Sequence, residues 1–197
     1  MVQRTILSKT TIMKHTIVAW DEMVQISMLA DERDFLLKVI TTYSYKDIVE
    51  WGSGGSTVLI AENKPENVIF TSIEHNINWY SKIKEFIIGI PNVNYCHIPP
   101  LNYESSPITY GAYAEDSFNP SLLEKYIHTP IDIRSVDLFL IDCVARNAIL
   151  KRVAKESKKS ALVLIHDVDN IHPQYRNSLL NFELIDKVAS LGLFHPR

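Results

Sequence analysis

Five times along the chain, a short continuous apolar run gives way to a segment whose apolar residues recur at helical spacing. The runs are 47–51, 67–74, 92–98, 136–142 and 161–165. Runs of this length with β-branched centres predict strands buried on both faces. After the first run, Val58, Leu59, Ile60 and Ala61 suit a helix; after the second, Trp79, Ile83, Phe86, Ile87 and Ile90 mark a helix face that Pro91 stops. Ile149, Leu150 and Val153 turn inward on a predicted helix over 146–155, which ends among Lys151, Arg152, Lys155, Lys158 and Lys159, cations that suit a helix C-terminus. Ahead of the first strand, Leu36, Leu37, Val39 and Ile40 predict a helix within 28–43, with Asp31, Glu32, Arg33 and Asp34 in its first turn. A short helix around 174–180 precedes two closing runs, 182–188 and 191–194. Their connection is too short for a crossover, so they should pair antiparallel.

This rhythm predicts an α/β fold: a doubly wound sheet of five parallel strands plus a closing antiparallel hairpin. Two stretches depart from it. Residues 1–27 are weakly patterned and read as an N-terminal arm, leaving 28–197 as a single domain. Residues 99–134 form an insertion rich in Tyr103, Tyr110, Tyr113, Phe118, Pro107 and Pro120, with one helix over 120–128. Such an excursion is either a lid or binding surface, or a surface elaboration packing on its own tyrosines.

Composition narrows the class. A chain of 197 residues supports one domain with a substantial core, and 46% apolar with 22% charged residues is ordinary for a soluble globular protein. A net charge of −3 gives no electrostatic case for nucleic acid. Cys96 and Cys143 sit in apolar runs and read as buried free thiols of a reducing compartment. No apolar stretch approaches the roughly 20 residues that span a bilayer, and the first residues lack the apolar core of a secretory signal. The expectation is a cytoplasmic enzyme with a small-molecule partner, acting without membrane or nucleic acid; oligomeric state is not legible.

Chemistry concentrates at 47–57, D-I-V-E-W-G-S-G-G-S-T, where three of the six glycines lie. A strand turning tightly through glycine into a helix exposes backbone N–H groups that no Cβ blocks. A dinucleotide fingerprint would need its third glycine at Thr57, so that match fails. Glu74 ends the second strand about 20 residues on, the place of a ribose-binding acid in nucleotide-binding βαβ units. Asp142 ends the fourth strand, and His166 and Asp167 follow the fifth. All these strand ends share the rim where such sheets hold ligands.

The stretch resembles the first motif of class I S-adenosylmethionine-dependent methyltransferases: an acidic residue, a spacer, then alternating glycines, matched by Glu50, Gly52 and Gly54, with Ser56 where many members have a third glycine. The resemblance extends over 47–197 and takes in the E-H-N segment at Glu74 and the closing hairpin, both typical of that Rossmann-like fold. It implies S-adenosyl-L-methionine as cofactor, with Glu50, Gly52, Ser53, Gly54, Ser56 and Thr57 around its methionine portion. It further implies Glu74 on the ribose, His75 or Asn76 beside the adenine, and Asp142 facing the transferred methyl group. Asp142, His166 and Asp167 are the implied catalytic set, the histidine titrating near its ordinary value of roughly 6.5; Arg146 and Tyr110 are implied to bind substrate. A divalent metal between Asp142 and Asp167, as in catechol-type relatives, is not favoured, because Val168 stands where those have an asparagine. The implied activity is O-methylation of a small-molecule or sugar-like substrate. Two other readings stand beside it: a non-catalytic binding or scaffold module with the same fold, and, less favoured, a nicotinamide-dependent oxidoreductase.

Overall fold

The computed structural model describes residues 28–101, 120–169 and 177–197. The expected N-terminal arm, residues 102–119 of the aromatic insertion with Tyr110, and the start of the helix expected at 174–180 lie outside them.

The chain enters through helix α1 (Ala30–Thr42) and then alternates: β1 (Asp47–Trp51), α2 (Gly55–Asn63), β2 (Ile69–Glu74), α3 (Ile77–Ile87) and β3 (Val93–His97). After the insertion, a 3₁₀ turn (Pro120–Leu123) runs into the short α4 (Glu124–Ile127). Next come β4 (Leu138–Ile141), α5 (Arg146–Glu156), β5 (Leu162–Ile165), β6 (Phe182–Val188) and β7 (Leu191–Pro196). The seven strands form one sheet in the order β3-β2-β1-β4-β5-β7-β6. Strands β1 to β5 pair in parallel, while β7 runs antiparallel to both β5 and β6.

The apolar runs split by parity, as a pleated sheet covered on both sides requires. Ile48, Phe70, Leu138, Leu140 and Leu164 pack on one face against Leu36, Val39 and Ile40 of α1, Val58 and Ile60 of α2, and Ile83 of α3. Val49, Trp51, Phe139, Ile141, Val163 and Ile165 face the other way, against Tyr126 of α4 and Ile149, Leu150 and Val153 of α5. Trp51 is fully buried, and its indole N–H donates to the Tyr126 carbonyl at 3.1 Å.

Strand order reverses between β1 and β4, and that reversal opens a crevice at the carboxyl ends of the parallel strands. The register brings Trp51 level with Ile141 on one side and Ile73 on the other. Beyond the strands the ladder continues: Asp142 N donates to Trp51 O, His166 N to Ile141 O, and Gly52 N to Ile73 O. The turns after β1, β4 and β5 therefore leave the sheet side by side.

Gly52 is where two of these turns meet. Its φ is +89°, and a Cβ there would lie 1.9 Å from the Asp142 carbonyl oxygen, a backbone atom that cannot swing away. Gly52→Ala should therefore destabilise the fold by about 2 kcal/mol or more, from left-handed strain plus overpacking. Urea unfolding measures this, and a midpoint equal to wild type would remove the constraint.

Candidate active site

The loop from Gly52 to Thr57 is held from below by a buried acid. Glu50, fully enclosed in β1, accepts hydrogen bonds from Ser56 Oγ at Oε1 and from Thr57 Oγ1 and Ser72 Oγ at Oε2, each at 2.6 Å. The Thr57 hydroxyl also accepts from Gly54 N at 2.8 Å, which sets the entry into α2. Ser56 and Thr57 thus carry hydroxyls for a structural reason: each ties the loop to Glu50. Burial pushes the Glu50 carboxyl up to about 7 against the pull of those three donors, and the nearby Asp142 charge adds to the rise.

Glu74 holds the loop from the side. Its Oε2 accepts from both the backbone N and the hydroxyl of Ser53, each at 2.9 Å. Its Oε1 accepts from His75 N at 2.9 Å and Asn76 N at 2.7 Å, with His75 Nδ1 also 2.9 Å away. Burial works to raise this carboxyl, but the donors outweigh it and hold it below the usual range. Ser53 Oγ also lies 2.6 Å from Tyr95 OH, and Tyr95 stacks on Tyr80 at 4.5 Å. Trp79 Nε1 donates to the Ser53 carbonyl. His75 turns edge-on to Tyr126 at 5.5 Å, and Asn76 caps α3 by accepting from Trp79 N.

Gly54 is different from Gly52. Its backbone is extended (φ −174°), a shape any residue adopts, and an added Cβ would meet only Trp79 Nε1, at 4.0 Å. The open face of the loop is therefore at Gly54.

Across the crevice stands a charged cluster. Arg146, the first residue of α5, donates through Nη2 to Asp142 Oδ1 at 2.8 Å and through Nη1 to the His166 carbonyl at 3.0 Å. Nη1 is also 3.5 Å from Asp167. His166 Nδ1 lies 3.1 Å from Asp142 Oδ2 and 3.8 Å from Asp167 Oδ2. On its other side, His166 Nε2 lies 3.3 Å from Glu32 Oε2 of α1. Asp167 takes a left-handed backbone (φ 61°), which an aspartate tolerates better than most residues and which turns its carboxylate back toward Arg146.

Burial alone would lower the His166 pKa; hydrogen bonding and charge from Asp142, then Asp167 and Glu32, carry it instead up to about 9. The ring is a cation at neutral pH, so the expectation of a histidine titrating near 6.5 gives way. Asp142 moves the opposite way: burial would raise it, and His166 and Arg146 together bring it below the usual carboxylate range. Asp142, His166 and Asp167 can each bring one donor atom within 4.8 Å of the others, as a cation site would. Arg146 and His166, however, already face both carboxylates. Asp169, beyond Val168, pairs instead with Lys187 at 2.7 Å.

The structure thus brings Gly52, Gly54, Asp142, His166, Asp167 and Arg146 to one crevice. Glu50 and Glu74 lie beneath it with their oxygens engaged by the loop and by Ser72, His75 and Asn76, and Arg146 is committed to the cluster. Only Asp142 and Asp167 present substantial side-chain surface there, 24% and 30% exposed against 5% for His166. Glu32 and Ser190 were missed by sequence reasoning. An acid at the third position of a helix signals capping, and Glu32 does accept from Leu29 N at 2.8 Å; nothing local marks its second partner, 134 residues away. A hollow of about 520 Å³ opens beside the end of β3, between Pro99, Leu101, Lys125 and His128, and shares no residue with the cluster.

No protein-family model matches the sequence, and no curated protein matches it. Solved structures do. A methyltransferase-like protein from Silicibacter pomeroyi is similar with a TM-score of 0.65 at 18% identity, over 88% of each chain. A methyltransferase from Geobacter sulfurreducens gives 0.61 at 13% identity, over 98% of this chain and 91% of that one. An O-methyltransferase from Bacillus cereus, solved in complex with SAH, gives 0.57 at 15% identity, over 96% and 92%. The shared feature at these identities is the fold.

The cluster makes a pH-dependent contribution to stability. The folded-state pKa of His166 lies above its unfolded value, so the contribution is complete below roughly pH 6.5 and is lost as pH rises through about 9. The gap corresponds to about 3 kcal/mol. Urea midpoints should fall over that interval in wild type, and His166→Gln should lose that part of the fall. Parallel profiles for the two proteins would contradict the ion pairing.

Proposed function

We propose that this chain, which has the class I methyltransferase fold, is an S-adenosylmethionine-dependent methyltransferase acting on a hydroxyl of a small molecule or sugar-like compound. The observation that carries the reading is the pairing of an open glycine at Gly54 with a charged cluster across the same crevice. Among the described residues a Cβ at Gly54 would touch Trp79 Nε1 alone, at 4.0 Å, so the loop backbone there is open to an approaching ligand. The first turn of α2 adds backbone donors without intrahelical partners.

In this reading Gly52, Ser53 and Gly54 hold the methionine portion of the cofactor, with Glu50, Ser56 and Thr57 fixing the loop beneath. Glu74 serves the ribose. Its acceptor sites are filled by Ser53, His75 and Asn76, so the Ser53 hydroxyl, which has Tyr95 OH as a second partner, is the donor a ribose hydroxyl replaces. When bound, S-adenosylmethionine supplies an electrophilic methyl group on a sulfonium. Asp142 presents its carboxylate to that positive centre, oriented by Arg146 on one oxygen and His166 on the other. Asp167, the more exposed acid, would receive the proton that the acceptor hydroxyl gives up as its oxygen bonds to the methyl carbon, the carbon–sulfur bond breaks and S-adenosylhomocysteine leaves. His166 acts from behind as a cation, since both its ring nitrogens face carboxylates. Alignment of acceptor and methyl group accounts for most of the rate.

Two outcomes test this. S-adenosylhomocysteine should bind and raise the melting temperature, as any ligand preferring the folded state does, while NAD should not. Gly54→Val should fold with stability within about 1 kcal/mol of wild type and lose S-adenosylhomocysteine binding. Normal binding by that variant would make the loop a mere connector. The second outcome concerns metal. One net negative charge remains on Glu32, Asp142 and Asp167 after Arg146 and charged His166 are counted, and a divalent ion finds few free oxygens there. Magnesium titrated calorimetrically into the protein should give no binding heat, and a chelator should leave S-adenosylhomocysteine affinity unchanged. Stoichiometric magnesium binding that Asp142→Asn abolishes would overturn the metal-free mechanism.

A further inference from the structure

Glu32 lies on α1, remote in sequence from every motif at the rim, yet it is 1% exposed and aimed at the charged cluster. Its Oε1 accepts from Ser190 N at 2.8 Å and Ser190 Oγ at 2.7 Å, in the turn between β6 and β7. Its Oε2 accepts from Leu29 N and faces His166 Nε2 at 3.3 Å. The groups around the imidazole are therefore Glu32 from α1, Asp142 after β4 and Asp167 after β5, with Arg146 of α5 bound to the His166 carbonyl and to Asp142. A neutral imidazole carries a proton on one nitrogen and a lone pair on the other. With a carboxylate at each nitrogen, one contact would be repulsive in a neutral ring; the doubly protonated ring makes both attractive, through a hydrogen bond at Nε2 and an ion pair at Nδ1 that lies outside hydrogen-bond geometry. Removing Glu32 removes that requirement.

We infer that Glu32 is a positioning residue: from the far side of the ring it holds His166 in one orientation with Nε2 protonated, and through His166 it fixes the Asp142 carboxylate at the rim. Ser190 holds Glu32 in turn, so the β6–β7 turn and α1 belong to the support of the site. The inference rests on the methyltransferase reading only for the task Asp142 performs.

The test is nitrogen-15 NMR of the His166 ring in the full chain near neutral pH, assigned by loss of its signals in His166→Gln, alongside calorimetry with S-adenosylhomocysteine. In wild type both ring nitrogens should show the protonated signature. In Glu32→Gln, which keeps an oxygen for Ser190 and leaves Asp142 and Asp167 facing Nδ1, the Nε2 signal should shift and, followed over pH, the ring should lose its second proton at lower pH than in wild type, while S-adenosylhomocysteine affinity stays within about threefold. A merely structural Glu32 would lower the melting temperature and leave the ring unchanged, and that result overturns the inference. If Glu32→Gln does not fold, Ser190→Ala decides: a shifted Nε2 signal supports the inference and an unshifted one refutes it. If the ring changes as expected but wild type binds no S-adenosylhomocysteine, the methyltransferase reading fails and the positioning role stands.

Discussion

The rim of this sheet depends on one backbone contact, the packing of Gly52 against the carbonyl of Asp142. It occurs where strand order reverses, so the turn after β1 and the turn after β4 leave the sheet as neighbours. The absence of a Cβ lets them touch. From that contact the glycine loop faces one way and the Asp142 cluster the other, with the crevice between them. A larger residue at position 52 would part the two halves of the site before altering either one's chemistry.

Three buried glutamates then do three kinds of work. Glu50 is enclosed with three hydroxyl donors and is pushed up to about 7, so it anchors the loop as a hydrogen-bond acceptor near its own titration point. Glu74 collects backbone N–H groups and stays charged, tying β2 to the loop. Glu32 faces a histidine cation and joins α1 to the end of β5. Burial opposes ionisation in all three; the outcome differs with the donors each one finds. The glycine loop is thus stiffened by hydroxyl and backbone donors, and the opposite wall by ion pairs.

The fold was legible because both faces of the sheet are covered at its centre, which writes β4 and β5 as continuous apolar runs and buries β1 along nearly its whole length. Strands β1 and β6 begin and end with their runs, and β7 outlasts its run by two residues. At β2 to β5 the runs exceed the strands by a residue or two at an end, for local reasons: Val68 bonds back to Pro65 and Ala161 to Lys158, so each belongs to a turn. That the strand-end residues share one rim was legible; the contacts they make there were less so. Strand-end acids and glycines announce a rim, but sequence does not say which oxygens the chain itself will occupy. Arg146 looks like a substrate residue until Asp142 and the His166 carbonyl take its donors. Sequence does not say which glycine of the loop is strained; Gly52 holds the positive φ, and Gly54 is extended. Glu32 reads as a helix cap because its second partner is supplied by tertiary folding.

A crystal structure of the chain grown with S-adenosylhomocysteine would test the central claim most directly, namely that the crevice between Gly54 and Asp142 is a cofactor site. The account predicts the homocysteine portion against the loop at Ser53 and Gly54, the ribose at Glu74 with Ser53 Oγ turned to Tyr95, and Asp142 as the carboxylate nearest the sulfur. Ligand density elsewhere, such as the hollow beside Leu101 and His128, with the glycine loop uncontacted, would contradict it.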